Sequence, residues 1–159
     1  MNMIQRFITK WQKNNSEVKE HSAKALRPKT DKQKLAQAGE TFASEYLRNL
    51  GWKIVGRNWR SGRHCEIDII TKDKTGTLVF VEVKARRMHR KELGFVSSGF
   101  DCIDGPKKRK ITTGALNYLA KHNLAEHTYR FDAIVLYYSA PFGDDLSLPT
   151  EVIHVKGIF

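Results

Sequence analysis

Glu66 and Asp68 stand two residues apart in the stretch HCEIDII, and Glu82 and Lys84 stand two apart in LVFVEVKAR. Both stretches read as strands, in which side chains alternate between faces. Glu66 and Asp68 then share one face of the first strand, with Ile67 and Ile69 on the other. In the second strand Val79, Val81 and Val83 share a face, and Phe80, Glu82 and Lys84 take the opposite one. With the valine and isoleucine faces turned to a core, the acids gather on one side, and Glu82 falls opposite Glu66 or Asp68. Directly opposed side chains lie roughly 5 Å apart at Cβ. Two carboxylates that close repel by about 3 kcal/mol at an effective dielectric of about 20. A shared proton, a nearby cation or a bound metal ion would relieve that cost, and Lys84 already supplies one ammonium. Plain surface charge on a half-exposed hairpin is the alternative. Phe80 inside the charged face and the apolar run LVFVEV argue against it, for a strand covered on both sides with its charges near one end.

The elements that would hold these residues are readable on either side. A helix is expected from about Asp31 to Leu50, with Leu35, Phe42, Ala43, Tyr46, Leu47 and Leu50 as its apolar stripe and Gly51 as its terminator. WKIVGRNWR reads as a strand that Gly56 weakens or bulges. EIDIITK and TLVFVEVKA form a hairpin across the turn signal DKTG. Residues 86–104 read as a loop. DGPKKRKITTGALNYLAKHN is a second helix, with Pro106 in its first turn and Ile111, Ala115, Tyr118 and Leu119 on its buried side. YRFDAIVLYY is a strand, and EVIHVKGIF a last short one. The order is helix, three strands, helix, two strands.

The 159 residues are enough for one domain, taken as residues 33–159. Residues 1–32 read as a basic tail without a sustained apolar face. Lys and Arg number 28 against 17 Asp and Glu, a net charge of +11. That excess points to a polyanionic partner, nucleic acid first and an anionic membrane surface second. A merely basic protein is the bland alternative. No apolar run is long enough to span a bilayer and no secretory segment is evident, so a cytoplasmic protein without membrane attachment is expected. The two cysteines, Cys65 and Cys102, are expected as free thiols. Neither has a second cysteine close enough to suggest zinc.

The charged strands also carry a resemblance. EID, a turn, then VFVEVKAR resembles the PD-(D/E)xK nuclease signature, with Asp68 as its D and Glu82-Val83-Lys84 as its ExK. The wider pattern resembles the YraN family of bacterial proteins, itself similar to Holliday-junction resolvases. That family shows a G-E-x-x-A helix, RN-x-R, GEIDLI, LVFVEVK-x-R, a K-x-x-K-[LI] helix and an R-[FY]-D-[AV] strand. AGETFASEYL, GRNWR, HCEIDII, LVFVEVKAR, PKKRKI and YRFDAIVL follow here in that order, so the resemblance covers about Leu35 to Phe159.

The resemblance implies an α/β, restriction-endonuclease-like (αβββαβ) core with a mixed central sheet flanked by helices. It implies a metal-dependent endonuclease using Mg²⁺ or Mn²⁺, hard ions that prefer oxygen ligands. Asp68 and Glu82 become the metal ligands, with the Val83 carbonyl as a third and Lys84 orienting the attacking water or offsetting developing charge. Glu40 would complete the site from the first helix, where it lies beside Ala36, Ala43 and Leu47; an ordinary exposed helix charge is the other reading. Glu66 is a secondary candidate, bound through water or paired with an arginine. Arg57, Arg60, Arg86, Arg87, Arg90, Lys107 and Lys110 would hold nucleic acid by backbone and shape, DNA ahead of RNA. A homodimer is compatible with junction cutting, which needs two sites. Arg130 and Asp132 match the family and are expected as a buried ion pair. One departure is Cys65, where the family has glycine. A positive φ or close substrate approach at that position would make the side chain interfere. A binding module that keeps the fold without cleavage, and a protein whose basic surface meets an acidic partner, are the competing readings.

Overall fold

The computed structural model describes residues 30–62, 65–88, 105–139, 146 and 148–159, together with residues 6, 8 and 9. Most of the expected basic tail, the segment 89–104 with Arg90, and Cys102 lie outside the described residues.

Helix α1 runs Asp31–Asn49. Thr30 starts it with a reciprocal cap: its Oγ1 accepts the Gln33 N–H at 3.3 Å, and its own N–H donates to Gln33 Oε1 at 2.9 Å. Two of the otherwise orphaned first-turn donors are satisfied in this way. Gly51, at φ 81°, takes the left-handed residue that ends the helix. Strands β1 (Lys53–Ser61), β2 (Cys65–Lys72) and β3 (Leu78–Met88) follow. The β2–β3 turn is organised by Asp73, whose carboxylate accepts the N–H groups of Thr75 and Thr77. Helix α2 spans Gly105–Lys121, then β4 (Tyr129–Ser139) and β5 (Glu151–Lys156) complete the fold.

The five strands form one sheet in the order β1-β2-β3-β4-β5. β1–β2, β2–β3 and β4–β5 are antiparallel, while β3 and β4 run parallel. A parallel pair needs a crossover, and α2 supplies it. The αβββαβ succession is therefore the observed one, and the last strand expected from EVIHVKGIF joins it as an antiparallel edge strand. Gly56 lies at a register shift in β1, where Ile54 faces Thr71 and Gly56 faces Ile70.

Each face of the sheet carries a helix and a core. On one, Leu35, Phe42, Ala43, Tyr46 and Leu47 of α1 pack on Ile69, Val79, Val81, Ile134 and Leu136. On the other, Ile111, Ala115, Tyr118 and Leu119 of α2 pack on Ile67, Ile70, Leu78, Phe80 and Phe131. Burying each of the larger aliphatic and phenylalanine side chains among these contributes about 1.5–3 kcal/mol. β3 is thus covered on both sides, which explains its near-continuous apolar run. Among the described residues no helix is long and apolar enough to cross a membrane.

Candidate active site

The strict alternation expected in β2 fails at Asp68. Ile67 packs on the α2 side with Ile70, whereas Ile69 packs on the α1 side with Val79 and Val81. Ile67 and Ile69 therefore do not share a face, and neither do Glu66 and Asp68 behave as neighbours on one charged surface. The cause lies partly in β1. Asn58, between the pairs Arg57–Ile69 and Trp59–Ile67, has φ 49°. A left-handed residue within a strand turns the chain locally, and asparagine tolerates that conformation better than most side chains.

The β2–β3 ladder also ends here. Its last pair is Ile69–Val81, and the next backbone donor on β3, the Val83 N–H, bonds to the Asp68 side chain instead, Oδ2 accepting at 2.7 Å. β3 continues past this point paired with β4 alone, Glu82 beside Ala133 and Lys84 beside Val135. The two strands part, and the carboxylates sit in the fork. Asp68 is pushed up to about 7, first by burial and then by the Glu82 charge; the Val83 N–H pulls the other way, Glu40 raises it again and Lys107 lowers it.

Glu82 is 3 % exposed. Its Oε1 meets Lys84 Nζ at 2.6 Å and Lys107 Nζ at 3.0 Å. Its Oε2 is buried and has no hydrogen-bond partner among the described residues. A buried carboxylate oxygen left in that state is costly, so a partner that completes its coordination would be favourable. Asp68 and Glu82 offer oxygen donors only, the set a hard divalent ion takes. Mg²⁺ is commonly held by one or two carboxylates, with water and substrate phosphate completing its shell. The two acids fit that requirement. They do not form a three-acid cage: among the described residues no group of three or more Asp, Glu, His or Cys side chains stands close enough to hold a metal ion. Glu40, half-buried on α1, is felt by Asp68 electrostatically. Gly39 beside it lets α1 approach β3 closely, since a Cβ there would stand 2.7 Å from Ala85 Cβ.

The remaining residues singled out in the sequence are spread around this centre. Glu66 pairs with Arg60 across β1 and β2, Oε1 accepting from Nε at 3.1 Å and Nη2 at 3.0 Å, in an exposed position. Arg57 and Arg86 are exposed, Arg87 is half-buried, and Lys110 is exposed on α2. Cys65 is a half-buried free thiol. Lys107, expected as a phosphate contact, also meets Glu82. Arg130 and Asp132 do form an ion pair, at 3.0 Å, with Asp132 fully buried. Two further residues join them that no local pattern marks: Asp73 Oδ2 accepts from Arg130 Nη1 at 2.5 Å, and His154 Nε2 lies 3.1 Å from Asp132 Oδ2.

Comparison with known proteins agrees with the pattern of motifs. The model of the uncharacterised protein family UPF0102 matches residues 39–136. A UPF0102 protein of Persephonella marina is 37 % identical over 123 residues, 76 % of this chain and 89 % of that protein. One from Treponema denticola is 39 % identical over 133 residues, covering 79 % and 94 %. Among solved structures, a chain of the EndoMS–dsDNA2 complex matches with a TM-score of 0.33 at 15 % identity, over 80 % of this chain and 43 % of that one. A repair endonuclease from Pyrococcus abyssi matches with a TM-score of 0.33 at 18 % identity, over 77 % and 43 %. This chain thus spans less than half the length of either structure. With its helices and four of its strands inside or overlapping the matched span, and with such identity to proteins of that designation, the chain belongs to the UPF0102 family, the YraN family whose motifs it carries.

Proposed function

We propose that this protein is a metal-dependent endonuclease that hydrolyses phosphodiesters, in DNA ahead of RNA, and in branched or otherwise structured DNA in particular. The observation that carries this reading is the fork between β2 and β3. It gathers Asp68, Glu82 and Lys84, with one carboxylate oxygen of Glu82 buried and unpartnered among the described residues. Asp68 and Glu82 would hold Mg²⁺ or Mn²⁺, with the Val83 carbonyl beside them. When bound, such an ion supplies Lewis-acid polarisation of the phosphoryl oxygen and makes water more acidic.

The chain's own residues do the rest. Lys84, one-third exposed, offers N–H donors to a phosphate or to the attacking water, in a site dry enough for those interactions to be strong. The Val83 N–H fixes the Asp68 carboxylate, so the ligand is oriented before substrate arrives. Glu40 adds negative charge from α1 and raises the site's demand for a cation. The basic side chains on β1, β3 and α2 favour a polyanion through its backbone, and their contribution falls with salt.

Labelled duplex, single-stranded and four-way-junction DNA, with matched RNA, incubated with the protein in Mg²⁺, Mn²⁺ or EDTA, is the direct test. Products that vanish with EDTA, with Asp68→Asn and with Lys84→Ala are expected. Salt-sensitive binding without products would favour the non-catalytic module of the same fold. The absence of a three-acid group among the described residues is the feature on that side.

A further inference from the structure

We infer that Lys107 is the cation that holds Glu82 before a divalent ion arrives, and that uptake of the ion proceeds by exchange with its ammonium. This deepens the site reading above and rests on it. A carboxylate as buried as Glu82 is stable only with a countercharge. One ammonium meets that need, and Lys84 provides it from two residues along the same strand at 2.6 Å. Lys107 is a second one, at 3.0 Å on the same Oε1. It comes from a different element, the first turn of α2, and reaches into the fork to make the contact.

Two ammonium groups and a divalent cation around two carboxylates would leave an excess of positive charge within a few ångströms. One ammonium has to leave. Lys84 is tethered to the central strand, which is hydrogen-bonded to β4 along this stretch. Both ammonium groups are one-third exposed on four-carbon stems, so what separates them is the element: Lys107 comes from the first turn of α2 and not from the strand that carries Glu82. Swinging away from Glu82 carries its charge toward the open side of the site, where a phosphate would lie. The same lysine would then serve as countercharge in the empty site and as phosphate contact in the loaded one. Metal uptake and substrate seating are coupled through it.

Calorimetric titration with Mn²⁺ alone, with no nucleic acid, separates the possibilities. Wild type, Lys107→Gln, Lys107→Arg and Arg109→Gln are compared, the last being an exposed residue of the same helix that removes an equal charge. Removing the competitor should tighten Mn²⁺ binding by about tenfold, equivalent to about 1.4 kcal/mol. Lys107→Arg should stay within about threefold of wild type, and so should Arg109→Gln. At saturating Mn²⁺, Lys107→Gln should still lose turnover on a four-way junction despite its tighter metal. A purely structural lysine would not produce that opposition. Unchanged or weaker Mn²⁺ binding by Lys107→Gln, with wild type binding normally, overturns the exchange and leaves the metal site standing. No Mn²⁺ uptake by wild type overturns both.

Discussion

Replacing Asp68 with asparagine should stabilise this protein above neutral pH while removing its affinity for divalent ions. The Asp68 carboxyl is pushed from 3.8 to about 7 by burial and by the Glu82 charge. About three pKa units correspond to about 4 kcal/mol between its protonated and ionised forms in the fold. Because the folded value lies above the unfolded one, ionisation weakens the folded state. The cost is absent below pH 4, grows as pH rises through the interval, and is complete above about pH 7. Asparagine never ionises and so escapes it. Its Oδ1 can still accept the Val83 N–H that Asp68 holds at 2.7 Å, so the backbone bond at the fork survives.

Local relaxation and water entry reduce such figures, and a gain of about 2 kcal/mol at pH 8 is the expected outcome, falling to about half of that or less at pH 5. In a chain of 159 residues that corresponds to a rise in Tm of about 4–8 °C. Thermal and urea unfolding of both proteins at pH 5 and pH 8 in EDTA measures it. Mn²⁺ should then close the gap from the other side. At a hundredfold excess over Kd it stabilises wild type by about 2.7 kcal/mol, and it should leave Asp68→Asn where it was. A variant less stable than wild type at pH 8, or a difference that does not change between the two pH values, would refute the electrostatic account of the fork.

Asp132→Asn should cost about 3 kcal/mol at pH 7, the range for breaking a buried ion pair, because Asp132 accepts from Arg130, His154 and the Gly157 N–H. Although burial pushes its carboxyl up, these donors hold it below the usual carboxylate range, so the loss seen in urea unfolding should diminish as pH falls below about 4. Gly39→Ala would ordinarily favour a helix by about 1 kcal/mol. Here the new Cβ meets Ala85 Cβ at 2.7 Å, so a net loss of about 1–2 kcal/mol is expected from overpacking, with weaker Mn²⁺ binding as α1 and its Glu40 are pushed off β3.

Much of the architecture could be read from the chain because it depends on local periodicity. The α1 stripe from Leu35 to Leu47 and the α2 face from Ile111 to Leu119 are buried as expected. The turn at Asp73 and the bulge at Gly56 carry their own chemistry in sequence. The acids were legible for a different reason: charge inside an apolar strand conflicts with folding and so stands out. What could not be read was any break in period. Nothing in GRNWR marks Asn58 as left-handed, yet the change of face at Asp68 lies opposite it and separates Ile67 from Ile69. Nor can one strand's pattern disclose which residue of a distant helix will lean over it. Lys107 and His154 each complete a charge cluster through contacts far apart in sequence, with Glu82 and Asp132 respectively. Their roles depend on how β4, β5 and α2 are assembled rather than on any local signal.

A sheet covered on both faces has few places for a carboxylate. Every backbone group in its middle is paired, and both sides are apolar. The fork is one exception, beside the buried Asp132 of β4, because where β2 and β3 part, backbone donors lose their ladder partners and a side chain can take one. Asp68 does so with the Val83 N–H. Glu82 lies one residue earlier on the same strand and has no such backbone donor among the described residues, so it depends on lysines for its charge balance. Apolar residues of similar size at both positions would spare the fold the repulsion and the desolvation, and such replacements are often neutral or stabilising in buried ion pairs. The cluster is therefore poorly explained as a device for stability. Under the proposed function its costs are those of a site kept short of positive charge, with Lys84 and Lys107 offsetting part of the deficit.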